Sequence, residues 1–128
     1  MIKTRKTECT NCRLCMLACT AAHESGLHSS KFSRIHIEDA WPEIGAIHVC
    51  VSCAKQFCVE ACPEKALSWD GHVVLDKDKC TRCGVCSEAC PFGGVRKHPV
   101  SGYPLVCDTC NGRYLCIKAC PAGAISRR

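Results

Sequence analysis

The sequence predicts an α+β fold of short strands and short helices, with one structural unit used four times. Three observations predict it. First, all sixteen cysteines fall into four groups: Cys9, Cys12, Cys15 and Cys19; Cys50, Cys53, Cys58 and Cys62; Cys80, Cys83, Cys86 and Cys90; and Cys107, Cys110, Cys116 and Cys120. Second, Leu, Ile, Val and Phe together number 26 of 128 residues. That is too few for an ordinary apolar core, so a small chain of this kind needs covalent or metal staples. Third, the groups share more than cysteine. Alanine precedes every last cysteine (Ala18, Ala61, Ala89, Ala119), and proline follows three of them (Pro63, Pro91, Pro121), with Thr20 in the remaining place. "EKAL", "FGGV" and "AGAI" follow the prolines as similar returns toward a strand, which completes an internal repeat.

In chain order, the segments that end in Ala-Cys read as short helices closed by the proline region, among them Val85–Ala89 and residues 117–119. Between groups one and two the pattern is looser, but "SSKFSRIHIED" alternates enough for a strand around residues 33–37. Asp70-Gly71 is a favoured hairpin turn, and apolar residues flank it. Residues 66–69 and Val73–Leu75 therefore read as a short antiparallel pair. Residues 95–106 carry Pro99, Gly102 and Pro104 and read as a loop with extended segments. Trp41, Ile44 and Ile47 stand as apolar groups that either form an exposed docking patch or pack inward.

The cysteine spacing carries the chemistry. A [4Fe–4S] cube takes one protein thiolate at each iron, four in all. C-x2-C-x2-C sets three sulfurs on a tight loop and turns backbone N–H groups toward the inorganic sulfides. The last cysteine of C-x2-C-x2-C-x3-C-P lies across a short helical turn and ligates the other cluster of a two-cluster unit. Groups one and three fit that spacing, apart from Thr20; in groups two and four, four and five residues separate the second and third cysteines. Proline has no N–H to leave unpaired beside a cluster, and its ring fixes the turn out of the helix. The small alanine lets the helix approach the inorganic core.

Zinc knuckles come as two cysteines, a long spacer and two more, unlike these bunches of four. Disulfides suit an exported chain, whereas the basic N-terminus "MIKTRKTECTNC" leads into no apolar export segment. No run is long and apolar enough to span a membrane. The chain is accordingly expected in the cytoplasm, with no direct membrane insertion. The six histidines, His23, His28, His36, His48, His72 and His98, keep no fixed offset from the cysteines and read as surface or supporting residues. The formal charge of +5 counts thiols as neutral. Four oxidised cubes at about −2 each would bring it to about −3, which weakens the net-charge argument for nucleic acid, and no nucleic-acid partner is expected. Gly93-Gly94 lacks a phosphate-loop context, so no nucleotide site is expected.

These four groups, in the order tight, stretched, tight, stretched, resemble the four-cluster ferredoxin-like electron-transfer subunits of anaerobic oxidoreductases. That family includes the iron–sulfur subunit of dimethyl sulfoxide reductase type. It also includes small polyferredoxin partners of carbon monoxide dehydrogenase, formate hydrogenlyase and tungsten aldehyde oxidoreductase. The resemblance runs from Cys9 to Pro121 and is specific for an architecture rather than for a partner.

The resemblance implies two nested bacterial-ferredoxin-like units of βαββαβ type, held by four [4Fe–4S] clusters in one compact body. The inner unit spans residues 50–95 and the outer unit residues 1–49 with 96–128. It further implies that the groups pair two with three and one with four. The ligand sets are then Cys50, Cys53, Cys58 and Cys90; Cys80, Cys83, Cys86 and Cys62; Cys9, Cys12, Cys15 and Cys120; and Cys107, Cys110, Cys116 and Cys19. The implied function is a relay of single electrons to or from a catalytic oxidoreductase. The partner would be a tungsten or molybdenum enzyme, carbon monoxide dehydrogenase or a hydrogenase, with no catalytic residue on this chain. A free polyferredoxin that shuttles between enzymes is the alternative. The extensions and membrane-anchor contacts of the longer members have no counterpart before Arg128, so the short soluble-enzyme form is expected.

Overall fold

The computed structural model describes residues 2–24 and 29–127; His28 and Arg128 lie outside them. Short strands and helices follow one another along the chain: β1 (Ile2–Thr4), α1 (Leu14–His23), β2 (His36–Ala40), β3 (Glu43–His48), α2 (Phe57–Ala61), β4 (Leu67–Trp69), β5 (Val73–Leu75), α3 (Val85–Ala89), β6 (Val95–Lys97), β7 (Pro104–Val106), α4 (Leu115–Ala119) and β8 (Ile125–Arg127). The strands form four two-stranded antiparallel ribbons, β1–β8, β2–β3, β4–β5 and β6–β7. Three are local hairpins. The fourth joins the two ends of the chain, with Ile2 opposite Arg127. Helix α1 packs on α4, and α2 on α3.

Proline sets the helix lengths. Helices α2, α3 and α4 each stop after five residues, and the next residue, Cys62, Cys90 or Cys120, is already extended. A residue that precedes proline is pushed out of the helical region by contact with the ring. Thr20 imposes no such limit, and α1 runs for ten residues through Cys19 to His23. The fully buried Thr20 hydroxyl lies 3.1 Å from the Met16 carbonyl and 2.9 Å from that of Ser29, and its one hydrogen is shared between them. After each proline the chain turns through a positive φ at Lys65 (52°), Gly93 (63°) or Gly123 (65°). It then enters β4, β6 or β8, the returns expected from the repeat.

The hairpin expected around Asp70-Gly71 forms with Leu67 opposite Leu75. The expected loop at 95–106 closes into a ribbon with Val95 opposite Val106, leaving only its tip irregular. The strand expected around residues 33–37 begins later, at His36. Its partner β3 ends at His48, opposite His36, because the chain must then turn inward at Cys50. Ser33 instead closes a 3-10 turn and is fully buried, its hydroxyl accepting from the Ile35 N–H at 3.2 Å.

Strand β3 has no alternating pattern because its pairing with β2 is bulged. Ile37 faces Ile47 and Asp39 faces Ile44, so β3 carries one extra residue between those pairs. A bulge lets side chains at odd spacing reach the same face. Ile44 is therefore buried, and Ile47 packs partly against the same core. Trp41, at the hairpin tip, is 91% exposed. The three apolar groups thus divide: one is exposed and two pack inward.

The interior consists of two apolar clusters. One joins Ile2, Met16, Ile35, Ile37, Ile44, Val49 and Ile125 to cysteines of groups one and four. The other joins Leu67, Val73, Val95 and Val106 to cysteines of groups two and three. Among the described residues, six of the twenty buried hydrophobic ones are cysteines, so the sulfurs are part of the core itself. Gly94 brings the start of β6 directly against Cys50: a Cβ there would lie 2.7 Å from the Cys50 Cα. Backbone cannot yield as a flexible side chain can. Gly94→Ala should destabilise the fold by about 1–3 kcal/mol, read as a lower anaerobic unfolding midpoint. Gly71→Asn, at a φ of 73° in open space, should change that midpoint little.

Candidate metal centres

The structure gathers the sixteen cysteines around four cavities. Cys62 lines one with Cys80, Cys83 and Cys86. Cys90 lines another with Cys50, Cys53 and Cys58. Cys120 lines a third with Cys9, Cys12 and Cys15. Cys19 lines the last with Cys107, Cys110 and Cys116. Each cavity takes three cysteines from one group and the last cysteine of a different group.

One backbone pattern places them. The residue two after the first cysteine of every group has a positive φ: Asn11 (56°), Ser52 (53°), Arg82 (60°) and Thr109 (57°). So has the residue two before the third cysteine: Arg13 (61°), Gln56 (49°), Gly84 (80°) and Tyr114 (48°). The extra residues of groups two and four lie between these fixed points. Only one of the eight is glycine, although the left-handed region disfavours other residues. Such reversals turn successive N–H groups to one side of the chain, a concavity suited to anions. Nothing in the sequence signals them, because Asn, Ser, Arg, Thr, Gln and Tyr share no chemistry that demands this conformation.

Several N–H groups meet the sulfurs directly. Arg82 donates to Cys80 Sγ and Thr109 to Cys107 Sγ, each at 3.4 Å. Ala66 donates to Cys62 Sγ and Gly94 to Cys90 Sγ, each at 3.3 Å, from the turn that follows proline. Cys19 sits inside a continuing helix and has no such turn. Its sulfur accepts instead from the N–H of Arg34, fifteen residues on, at 3.3 Å.

Six of the thiols are poorly placed to ionise alone. Burial, with the charge of neighbouring cysteines added, pushes Cys107 and Cys116 up to about 12 and Cys15 and Cys58 to about 11. Burial likewise raises Cys50 and Cys86. Four thiolates around one small cavity need a cationic core between them, which iron would supply. Four sulfurs with inward N–H groups are the donor set of a [4Fe–4S] cluster, and these residues fit it.

Cys19 is the exception. Burial works against its thiolate, but His23, the Arg34 N–H and Ser33 together hold its pKa below the ordinary value. Sequence reasoning missed the group around it. His23 Nδ1 lies 2.8 Å from the Cys19 carbonyl, and its Nε2 lies 2.9 and 3.1 Å from the two Asp108 carboxylate oxygens. Both ring nitrogens face acceptors, which requires both to carry protons. Hydrogen bonding to Asp108, then to Cys19, accordingly raises the His23 pKa to about 10. Burial opposes the Asp108 charge, but His23, the Cys110 N–H and Arg34 hold that carboxyl well below the usual range. Ligand atoms of His23, Asp108 and Cys110 lie within 4.8 Å of one another, yet His23 is already satisfied by its two acceptors. At the Cys9 site, Arg13 forms an ion pair with Asp39 and so ties the β2–β3 hairpin to group one.

Three models of the 4Fe-4S dicluster domain match the chain, over residues 49–94, 72–121 and 8–67. One subunit of the anaerobic dimethyl sulfoxide reductase of Escherichia coli K12 is 30% identical, over 93% of this chain and 68% of its own length. The chain belongs to the iron–sulfur, ferredoxin-like subunits of oxidoreductases. Another relative of this family is the polyferredoxin-like subunit of an aliphatic sulfonate oxidoreductase from Pyrococcus furiosus. It is 41% identical over 88% of this chain, which spans 66% of that subunit's length. The chain spans smaller shares, 28% and 20%, of two longer relatives. Among solved structures, the active-site complex BamBC of benzoyl coenzyme A reductase with benzoyl-CoA contains a similar chain. It has a TM-score of 0.56 and 25% identity, and the match covers 98% of this chain and 76% of that one.

A ferredoxin-like subunit with six cysteines in its core and few large apolar residues depends on its iron. Stripping the clusters with chelator and oxidant should remove the visible absorbance and the cooperative thermal transition together. Anaerobic absorbance and circular dichroism melts, run before and after stripping, check this.

Proposed function

We propose that this chain is an electron-transfer subunit that holds four [4Fe–4S] clusters and relays single electrons to or from a catalytic oxidoreductase. One observation carries the reading: the four cavities use all sixteen cysteines, four to a cavity, with none shared and none left over. The proposed ligand sets are those four groupings. Each cluster, when bound, takes up and passes on one electron. The chain's own residues hold the clusters, bury six of the sixteen cysteines and turn N–H groups toward the sulfurs. With sixteen cysteines committed, no open ligand position remains for a substrate, which supports a non-catalytic subunit.

The packing supports an inner unit of residues 50–95 and an outer unit of 1–49 with 96–128. Helix α2 packs on α3 between groups two and three, and α1 on α4 between groups one and four. The two apolar clusters divide in nearly the same way, with Val106 of β7 joining the inner one. Cys50 lies close enough to disfavour the Cys107 thiolate, and Cys15 does the same to Cys116. With α2 packed on α3 between groups two and three, these proximities support the order Cys80, Cys50, Cys107, Cys9. Cys83 and Cys12 are the exposed cysteines, and they fall at the two ends of that order. An electron would enter at one and leave at the other.

The relatives' names support the kind of partner. The Escherichia coli protein is a subunit of dimethyl sulfoxide reductase, and the Pyrococcus protein a subunit of a sulfonate oxidoreductase. A tungsten or molybdenum enzyme, carbon monoxide dehydrogenase or a hydrogenase fits that class. The cytoplasm, where thiols stay reduced, suits sixteen cysteines of which none is in a disulfide. No helix among the described residues is long and apolar enough to cross a membrane.

Protein isolated anaerobically should contain about sixteen irons per chain, and dithionite should bleach its visible band. Zinc in place of iron, or a band indifferent to dithionite, would overturn the reading. It should also co-purify with a large catalytic chain rather than alone. For the ligand sets, Cys90→Ser should perturb the cluster held by Cys50, Cys53 and Cys58. Selective loss of the Cys80 cluster would contradict the pairing.

A further inference from the structure

The site of Cys19, Cys107, Cys110 and Cys116 is served by a residue from outside the repeat. Arg34 lies between groups one and two, beyond the end of α1, and owes its position to the missing proline. Because α1 continues past Cys19, the turn that supplies an N–H to Cys62 and Cys90 is absent there. The Arg34 backbone takes over that task. Its side chain stays at the same cavity and lines it beside the four cysteines.

The guanidinium is held firmly. Nη1 donates to the Val106 carbonyl at 3.1 Å and pairs with Asp108 Oδ2 at 3.1 Å. Nε is fully buried and finds no acceptor among the described residues. A buried N–H without an acceptor is unfavourable and rare, and such a group in a native fold calls for an unseen partner. Sulfur of a bound cluster is an acceptor of the right kind in the right cavity.

The neighbouring Cys50 site is different. Its cavity is lined by Val51, Phe57, Trp69, Val73, Phe92 and other residues, none with a charged side chain. Uptake of one electron adds one negative charge to a site; no bond forms or breaks, and no proton need move. Hydrogen bonds to sulfur and nearby cations favour that added charge, and an apolar surround disfavours it.

We propose that Arg34 sets the reduction potential of the cluster held by Cys19, Cys107, Cys110 and Cys116, donating its Nε–H to the sulfur face and keeping that cluster easier to reduce than its neighbour at Cys50. The inference rests on the reading that both sites hold [4Fe–4S] clusters. It makes Arg34 a positioning residue of the relay: an electron rests at the Cys107 site and crosses the Cys50 site only in passing.

Anaerobic redox titration of the cluster-loaded full chain, followed by electron paramagnetic resonance, tests this. Arg34→Leu keeps the backbone N–H and removes the guanidinium. It should lower one midpoint and leave the other three in place. Arg34→Lys, which keeps the charge and most of the bulk, should lower the same midpoint by less. Asp108→Asn, which removes the counter-charge, should raise it. The affected signal should be the one altered by Cys116→Ser. A full iron complement with all midpoints unmoved in the Arg34 variants would overturn the proposal, and so would an equal shift of all four. If Arg34→Leu fails to retain iron, the Lys and Asn variants decide by the same criteria. Iron analysis of the unsubstituted protein keeps failure of the cluster reading distinct from failure of the Arg34 role.

Discussion

Thiolate bound to a cationic core is the interaction on which this fold depends. A buried thiol resists ionisation, and several buried thiols around one cavity resist it more, since each charge opposes the next. Cys107 and Cys116, pushed up to about 12, would stay protonated without a metal. A bound iron–sulfur core would reverse that preference, and the reluctant thiols would then become strong ligands. The interior can therefore be poor in leucine and phenylalanine, because metal–sulfur bonds replace much of what apolar contacts do elsewhere. The ribbons, three residues long for the most part, would not be stable by themselves.

The second requirement is a backbone that bends the same way four times. Each group reverses through a left-handed residue soon after its first cysteine and again just before its third. Between those points the chain tolerates insertion, as the stretched groups show. Non-glycine residues bear some strain at these positions, and bonds on both sides hold them there. The arrangement specifies where sulfurs and N–H groups point while leaving side-chain identity nearly free.

Much of this was legible in the sequence, because cysteine spacing and proline are strong local signals. The four groups, the helices ending at Ala61, Ala89 and Ala119, and the Asp70-Gly71 hairpin follow from chemistry within a few residues. The β2–β3 ribbon was less legible for a definite reason. A bulge brings Ile44 and Ile47 to one side, which destroys the alternation by which strands are recognised. The 95–106 ribbon was hidden by Pro99, Gly102 and Pro104, of which two sit in its tip and one at a strand end. The cluster of His23, Arg34 and Asp108 was beyond reach for another reason. Its members are brought together across 85 residues only once α1 and α4 have packed. The substitution of proline by Thr20 was visible as an irregularity, yet its consequence, a longer helix and a new donor to Cys19, is a property of the folded chain.

The antiparallel pairing of β1 with β8 has a consequence for how the protein is made. The cysteines of the middle groups emerge from the ribosome within about forty residues of one another, and can find their partners while synthesis continues. Ile2 must wait for Arg127, and Cys9 waits almost as long for Cys120, which lines the same cavity. The thiols of group one therefore wait unprotected for longer than those of groups two and three, and oxygen or a stray metal in that interval has more time to reach them.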